Sequence, residues 1–330
     1  MFKNVMVYRI AEGWRPSLAD VESALQGARF VECGATQDKS VGWVEPRGQA
    51  HGPLVESIGG QWIAKLMIES KSVPGNVLRR RVDEQCAVIE ASTGRKPGKN
   101  EKRNLQDDAL LELLPQAFAK QATVLVWIDL AQRRLVLGCA SQGKADEAIS
   151  ALIKAMPGFS IALLQTATTP QSAMSGWLLA SDPDEWPTDL CVERECTLKA
   201  TGEDAASIRY VRHPLANDEV RKHVSEGKLP TQLALSWDGR VAFVLTETLQ
   251  LKKVQFLDGV MDASGTDKNE DRFDTDVTLA TGLLSPLLDG LIAALGGEMD
   301  WGAQTSAQAA QTPAAATHEA ALAEATDPPF

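Results

Sequence analysis

Two aspartates near residue 275 are the residues of this sequence best placed for hydrolytic chemistry. In the stretch RFDTD, Asp274 and Asp276 alternate along a predicted strand and would share one of its faces, with Glu270 and Asp271 close by. Carboxylates grouped in this way can hold Mg²⁺ for phosphodiester hydrolysis. We favour the interpretation that the two aspartates lie on the solvent-facing side of an ordinary strand, because no basic residue or histidine is an obvious partner for a metal site. A metal-dependent nuclease using Asp274 and Asp276 is therefore the alternative function.

Other patterns typical of enzymes are missing from the sequence. It contains no GxxxxGK[ST] loop, no GxGxxG after a strand, no HExxH and no GxSxG. The five cysteines are an odd number at irregular spacing, which argues against a disulfide framework. CVEREC (191–196) has no second cysteine pair and no nearby histidine to complete a zinc site. We therefore predict a protein that is not an enzyme, with no catalytic residue, metal or cofactor.

Basic residues form a larger set that could bind a polyanion. Nine Lys or Arg residues lie between Lys71 and Arg103, against four acids, and a second cluster follows residue 208. Cations that neutralise phosphates release condensed counterions, which yields salt-dependent binding without sequence preference. The alternatives are a solvated face, or cations that complement the dipole at a helix C-terminus. The candidate phosphate contacts are Lys71, Arg79, Arg80, Arg95, Lys96, Lys99, Lys102, Arg209 and Arg212.

Helical spacing predicts that most of the first basic cluster lies on a protruding hairpin of two helices. The first helix covers VPGNVLRRRVDEQCAVIEAS, and the second begins at LQDDALLELLPQAF with Asn104 as its N-cap. TGRKPGKNEKRN (93–104) is the Gly- and Pro-containing loop between them. Phe118 follows this hairpin and is either a core residue or an exposed anchor for a partner subunit.

The remaining elements predict an α+β fold. Alternating apolar residues indicate strands in KNVMVYRI, QWIAKLMI, TVLVWIDL and RRLVLGCA, and Asp238-Gly239 between TQLALSW and RVAFVLTE is the strongest hairpin signal. RFDTDVTLATGLLSPLLDGLIAALGG is predicted to be a strand followed by an apolar helix. Helices segregated from short antiparallel strands are typical of α+β proteins. Residues 303–330 are Ala-rich and are predicted to be a disordered tail.

The charge of the chain is unevenly distributed. The formal net charge is -11 over 330 residues, but after Lys253 there are 13 acids and only two bases, so residues 1–253 carry 31 of each (33 − 2 and 44 − 13). A polyanion responds to the local field, because salt screens exposed charges beyond about 8–10 Å. The acidic balance therefore does not exclude nucleic acid. No apolar run is long enough to span a membrane, and no secretory signal is evident, so we expect a cytoplasmic protein.

Several stretches, taken in order, resemble one known family. FKNVMVYRI, VGWVEP, LLPQAF followed by VWID, KLPTQLALSWDGRVAFVL and RFDTDVTLATGLLSPLLDGLIAALGGE are similar to the recombination-associated protein RdgC family. The similarity covers roughly residues 2–300. It implies a nucleoid-associated, non-enzymatic protein that forms a ring-shaped homodimer around double-stranded DNA and restrains recombination by RecA.

The resemblance also implies roles for particular residues. Arg95 matches a basic position of the family's finger, Lys71 and Arg79 also match basic positions of the family, and Arg212 matches a basic residue lining the hole. Phe118 falls where the family uses an aromatic residue to close a dimer contact, which favours the exposed anchor over the core residue. The implied organisation is a central α+β region (1–73 and 119–180), a helical finger (74–118), a base region (181–302) and the tail (303–330).

Overall fold

Seven antiparallel strands make the larger of two sheets in the computed structural model, which describes residues 1–182, 185–201, 206–257 and 270–299, without the side chains of residues 270 and 271. The strands are β1 (Met6–Ile10), β2 (Lys39–Val44), β3 (Val55–Ile58), β4 (Gln61–Lys71), β5 (Ala119–Asp129), β6 (Arg134–Leu137) and β7 (Ile161–Leu163). Their order is β2-β4-β5-β6-β1-β7, and β3 pairs with the part of β4 that β2 does not cover.

The helical finger is inserted between the two longest strands of this sheet. β4 and β5 pair without a break from Trp62↔Ile128 to Lys71↔Ala119. The chain between them forms α2 (Gly75–Thr93), α3 (Lys99–Leu113) and a 3-10 turn (Leu114–Gln116). Because α2 has no buried residue and α3 has only Ala109, the two helices pack on each other and project from the sheet. The predicted helical hairpin is confirmed.

One face of the first sheet is covered by α1 (Leu18–Gln26) and α4 (Gln142–Ala155). Val21 and Leu25 of α1 and Ala148 and Leu152 of α4 are buried with strand residues such as Trp43 in one apolar cluster. α1 begins at Ser17, whose hydroxyl accepts from the Asp20 amide in a capping box.

The second sheet has five further antiparallel strands, β8 (Leu190–Ala200), β9 (Ser207–Val211), β10 (Lys228–Trp237), β11 (Val241–Thr246) and β12 (Leu251–Phe256). Their order is β12-β11-β10-β8-β9. Asp238 and Gly239, with positive φ of 48° and 62°, make the tight turn from β10 to β11, as predicted. α5 (Pro170–Leu179) and α6 (Asp218–Ser225) pack on β10 and on each other.

The last helix, α7 (Glu270–Ala294), lies between the two sheets. Its buried residues share one apolar cluster with Trp127 of the first sheet and Phe243 of the second. On the side of the first sheet, Arg134 Nη2 donates to Asp289 Oδ1 of α7 over 2.6 Å. On the side of the second sheet, Gly290 of α7 lies so close to Trp237 that an added Cβ would be 3.3 Å from the Trp237 Nε1 atom. By length and composition α7 could cross a membrane, but burial in a core shared by both sheets is typical of an interior helix.

The predicted strand at RFDTD is wrong, because these residues form the first turns of α7. Phe273, Val277, Ala280 and Leu284 recur at helical spacing and pack against the core. This 3.6-residue period outweighs the short alternation of Asp and Thr that indicated a strand. The antiparallel α+β class is confirmed, the predicted domain boundaries stay predictions, and the predicted tail, 303–330, lies outside the described residues.

Candidate nucleic-acid interface

The connection between the finger helices is shorter than predicted. α2 ends at Gly94, which has the left-handed φ of 70° that favours glycine, and α3 begins after the N-cap Gly98. The Gly98 amide donates to Glu101 Oε2 over 3.3 Å, which is the cap of α3. Asn104 is therefore not the N-cap, because Gly98 and Glu101 already form the cap at which α3 begins. Pro97 is buried at this connection.

The cations of the finger tip, residues 95–103, fall into two groups. Arg95 forms an ion pair with Glu101 at 2.9 Å, and Lys96 lies 3.9 Å from Glu90. The Arg95 hydrogen bond is the main cause that lowers the pKa of the Glu101 carboxyl. The second group forms no ion pair with any described residue and consists of Lys99, Lys102 and Arg103. Sequence reasoning counted Arg103 in the basic run but did not select it.

The second group lies at the wrong end of its helix for dipole stabilisation. Lys99, Lys102 and Arg103 belong to the first turns of α3, where the helix dipole places partial positive charge. Cations complement a helix dipole at the C-terminus, so that interpretation does not apply to these three residues. Farther along α3 the charge reverses at Asp107, Asp108 and Glu112. The tip is therefore a local concentration of unpaired positive charge.

The other candidates of the first basic cluster are differently placed. Lys71, at the end of β4, donates from Nζ to the carbonyl oxygens of Gly34 at 2.8 Å and Cys33 at 3.3 Å. Lys71 therefore holds the loop that contains Cys33 and Gly34 against β4, in addition to carrying a positive charge. Arg80 lies 3.3 Å from Glu84, whereas Arg79 is exposed on α2 without an ion pair to a described residue.

The second basic cluster lies on the second sheet, separate from the finger. Arg209 of β9 and Lys253 of β12 both pair with Glu195 of β8, at 2.9 and 2.8 Å. The Lys253 and Arg209 hydrogen bonds lower the pKa of the Glu195 carboxyl. Arg212 follows β9 with a left-handed φ of 55°, is exposed, and forms no ion pair within the described part of the chain.

Phe118 is the most exposed large apolar side chain among the described residues, at 95%. It precedes β5 directly, at the base of the finger. The core alternative is wrong, because the side chain of Phe118 is almost fully exposed among the described residues. Isolated exposure of a whole phenyl ring is costly in water.

The structure separates the two aspartates of the nuclease hypothesis. Residues i and i+2 of a helix point in different directions, so Asp274 and Asp276 do not share a face of α7. Asp274 pairs instead with Arg47, whose Nη2 lies 2.5 Å from Oδ1. Within the described ranges, no group of three or more His, Cys, Asp or Glu residues could hold a metal ion. Glu270 and Asp271 have no described side chains.

Comparison with known proteins gives a consistent family. The profile of the family described as "RdgC: Putative exonuclease, RdgC" matches residues 1–298. The recombination-associated protein RdgC of Dechloromonas aromatica (strain RCB) is 38% identical over 90% of this chain and 98% of its own length. That of Janthinobacterium sp. (strain Marseille) is 38% identical over 91% of this chain and 99% of its own. The chain therefore belongs to the RdgC family.

Proposed function

We propose that this protein binds double-stranded DNA without sequence preference and, through that binding, modulates recombination. The observation that carries the proposal is the group of unpaired cations at the tip, Lys99, Lys102 and Arg103. They stand near the start of α3, where the helix dipole does not favour cations, so dipole stabilisation does not account for their presence. The name of the relatives, recombination-associated protein, supports a DNA ligand.

The absence of an aromatic platform near these cations supports contact with phosphates rather than bases. Sequence-specific and single-strand binding commonly uses aromatic rings on which bases stack. No Phe, Tyr or Trp occurs between residues 72 and 117. Arg79 on α2 and Arg212 after β9 are further exposed cations that a duplex could reach.

We further propose a homodimer that closes a ring around the duplex. The exposure of Phe118 supports a contact with a second copy, because burial of a fully exposed phenyl ring contributes about 2 kcal/mol or more. A protein that surrounds duplex DNA would restrain RecA sterically, in the cytoplasm at the nucleoid. We propose no catalysis, cofactor or membrane partner.

A salt-titrated duplex-binding assay combined with a measurement of molecular mass tests the proposal. We expect dimer mass and a logarithmic affinity that falls with logarithmic salt at a slope of about −3 to −5, corresponding to several phosphate contacts. Duplexes of unrelated sequence should give the same values. An affinity that is unchanged between about 50 and 200 mM salt would contradict the electrostatic mechanism.

Two other functions have different outcomes. The family description includes the words putative exonuclease, so end-labelled linear duplex and supercoiled plasmid should be incubated with the protein and Mg²⁺ or Mn²⁺. Shortening or nicking that Asp274→Asn abolishes would establish the nuclease instead. A module that acts on RecA only through its finger would fail to bind DNA when isolated.

A further inference from the structure

Arg95 of the finger tip is held in a two-bond ion pair within the chain. Its Nη1 donates to Glu101 Oε2 over 2.9 Å and its Nη2 donates to Glu101 Oε1 over 3.4 Å. Oε2 also accepts from the Gly98 amide, so the carboxylate is positioned by the start of α3. The guanidinium edge used here is the same edge that binds phosphate in a forked geometry.

We propose that Glu101 is a built-in competitor of DNA phosphate for Arg95, and so limits the affinity of the finger tip for the duplex. The inference rests on the proposed function, because it concerns the same surface. A DNA phosphate can bind the Arg95 guanidinium in this forked geometry only by displacing the Glu101 carboxylate, which already accepts both hydrogen bonds. The exchange of one oxyanion for another yields little net free energy, whereas Lys99, Lys102 and Arg103 bind phosphate without such a loss.

Glu101 also has a structural role at the tip. It is the third residue of α3, where a Glu or Gln side chain caps the backbone of the N-cap residue. An acid here also offsets the unfavourable meeting of three cations with the helix dipole. Gln at the same position keeps the capping oxygen but loses the charge, so Glu101→Gln isolates the competition from the cap.

A matched control exists in the same finger. Arg81 of α2 forms an equivalent two-bond pair with Glu112 of α3, at 3.1 and 2.5 Å, toward the base of the hairpin. Glu112→Gln removes the same charge from the same helix and breaks the same kind of pair. Glu112 lies away from the tip and is not close in sequence to Lys99, Lys102 or Arg103.

The test is a double-mutant cycle on duplex affinity in the full-length protein. It compares wild type, Arg95→Ala, Glu101→Gln and the double variant by fluorescence anisotropy across a salt series. We expect Glu101→Gln to raise affinity about five- to tenfold at low salt and to steepen the salt slope by about one contact. Glu112→Gln should change affinity less than about twofold, since its charge lies toward the base of the hairpin and away from the tip cations.

The decisive result is whether the effect of Arg95→Ala on duplex affinity depends on the presence of the Glu101 carboxylate. Arg95→Ala should lower affinity less than about threefold in the wild type and about tenfold in the Glu101→Gln background. Equal effects of Arg95→Ala in both backgrounds, or equal gains from the two Glu→Gln variants, would overturn the inference. Both results leave duplex binding intact, whereas failure of the wild type to bind duplex would overturn the proposed function. Thermal unfolding of each variant verifies that the finger is folded.

Discussion

Lys71 and Ala119 face each other on the last rung of the β4–β5 ladder, so the finger leaves the first sheet from two adjacent interior strands. Both strands run for 11 residues, and β2 and β6 flank them. The sheet therefore determines the base of the finger, while the tip makes no contribution to either apolar core. Substitutions at the tip should change binding without unfolding the protein.

The unpaired tip cations should supply the largest part of duplex affinity within the finger. Replacing Lys99, Lys102 and Arg103 by Ala should reduce the magnitude of the salt slope by about two to three, at about 0.9 per lost phosphate contact. The melting temperature should stay equal or rise slightly, because the helix dipole disfavours cations there. Anisotropy with several unrelated duplexes measures the effect.

The control for this prediction neutralises cations on another helix. Replacing Lys144 and Lys154 of α4 by Ala should leave the salt slope nearly unchanged. A loss of affinity confined to particular DNA sequences would show that the tip reads bases, contrary to phosphate binding.

Phe118→Ser should weaken self-association without lowering the stability of the protomer. The ring is 95% exposed in the single chain, so its removal takes no buried area from the fold. Sedimentation or mass photometry should show monomer at concentrations where the wild type is dimeric. Leu163→Ala, another exposed apolar residue, serves as the control; identical masses for Phe118→Ser and wild type would refute the anchor role.

Gly42→Ala should destabilise the fold by about 3 kcal/mol or more, as a severe steric insertion. A Cβ at this position of β2 would lie 2.4 Å from Phe30 Cα and 2.6 Å from Phe30 N, which are backbone atoms. The segment cannot retreat, because the Phe30 amide donates to the Trp43 carbonyl over 2.9 Å. Chemical denaturation measures the loss. Gly13→Ala, with no atom within 4 Å of its Cβ, should cost far less.

Glu69 should make stability depend on pH on the acidic side. Its carboxylate accepts from Gln121 Nε2 at 2.6 Å and from the Cys33 amide at 2.7 Å, and these bonds lower its pKa below the ordinary 4.5. A group with a lowered folded pKa stabilises the protein above 4.5 and loses that contribution as pH falls through the folded value.

Glu69→Gln should therefore lower the melting temperature at neutral pH and reduce its dependence on pH below about 4.5. Thermal unfolding between pH 3 and 7 measures this. The control is Glu32→Gln, because Glu32 is an exposed acid beside Cys33 that has no partner among the described residues. Parallel pH curves for Glu69→Gln and wild type would exclude this role.

Features that depend on neighbours in the chain were predictable from sequence. Asp238-Gly239 makes the β10–β11 turn because both residues tolerate positive φ. The start of α6 is equally local, since Asn217 caps it by accepting from the Val220 amide over 2.8 Å. The finger hairpin was equally accessible, apart from the start of its second helix at Gly98.

Features that depend on distant residues were not predictable. Asp274 meets Arg47, more than two hundred residues earlier, only because α7 enters the space between two sheets. The burial on both sides of α7 selects a helix where the local Asp-Thr alternation favoured a strand. Likewise, the charge run of the finger does not reveal that Arg95 is paired while Lys99 is not.

The family, the α+β class and the basic helical finger were therefore accessible from the amino-acid sequence, because periodicity, turn residues and charge are local properties. Which cations are unpaired, where Phe118 lies and which acids have partners became known from the folded structure. Those outcomes depend on distances between side chains that the chain brings together when it folds.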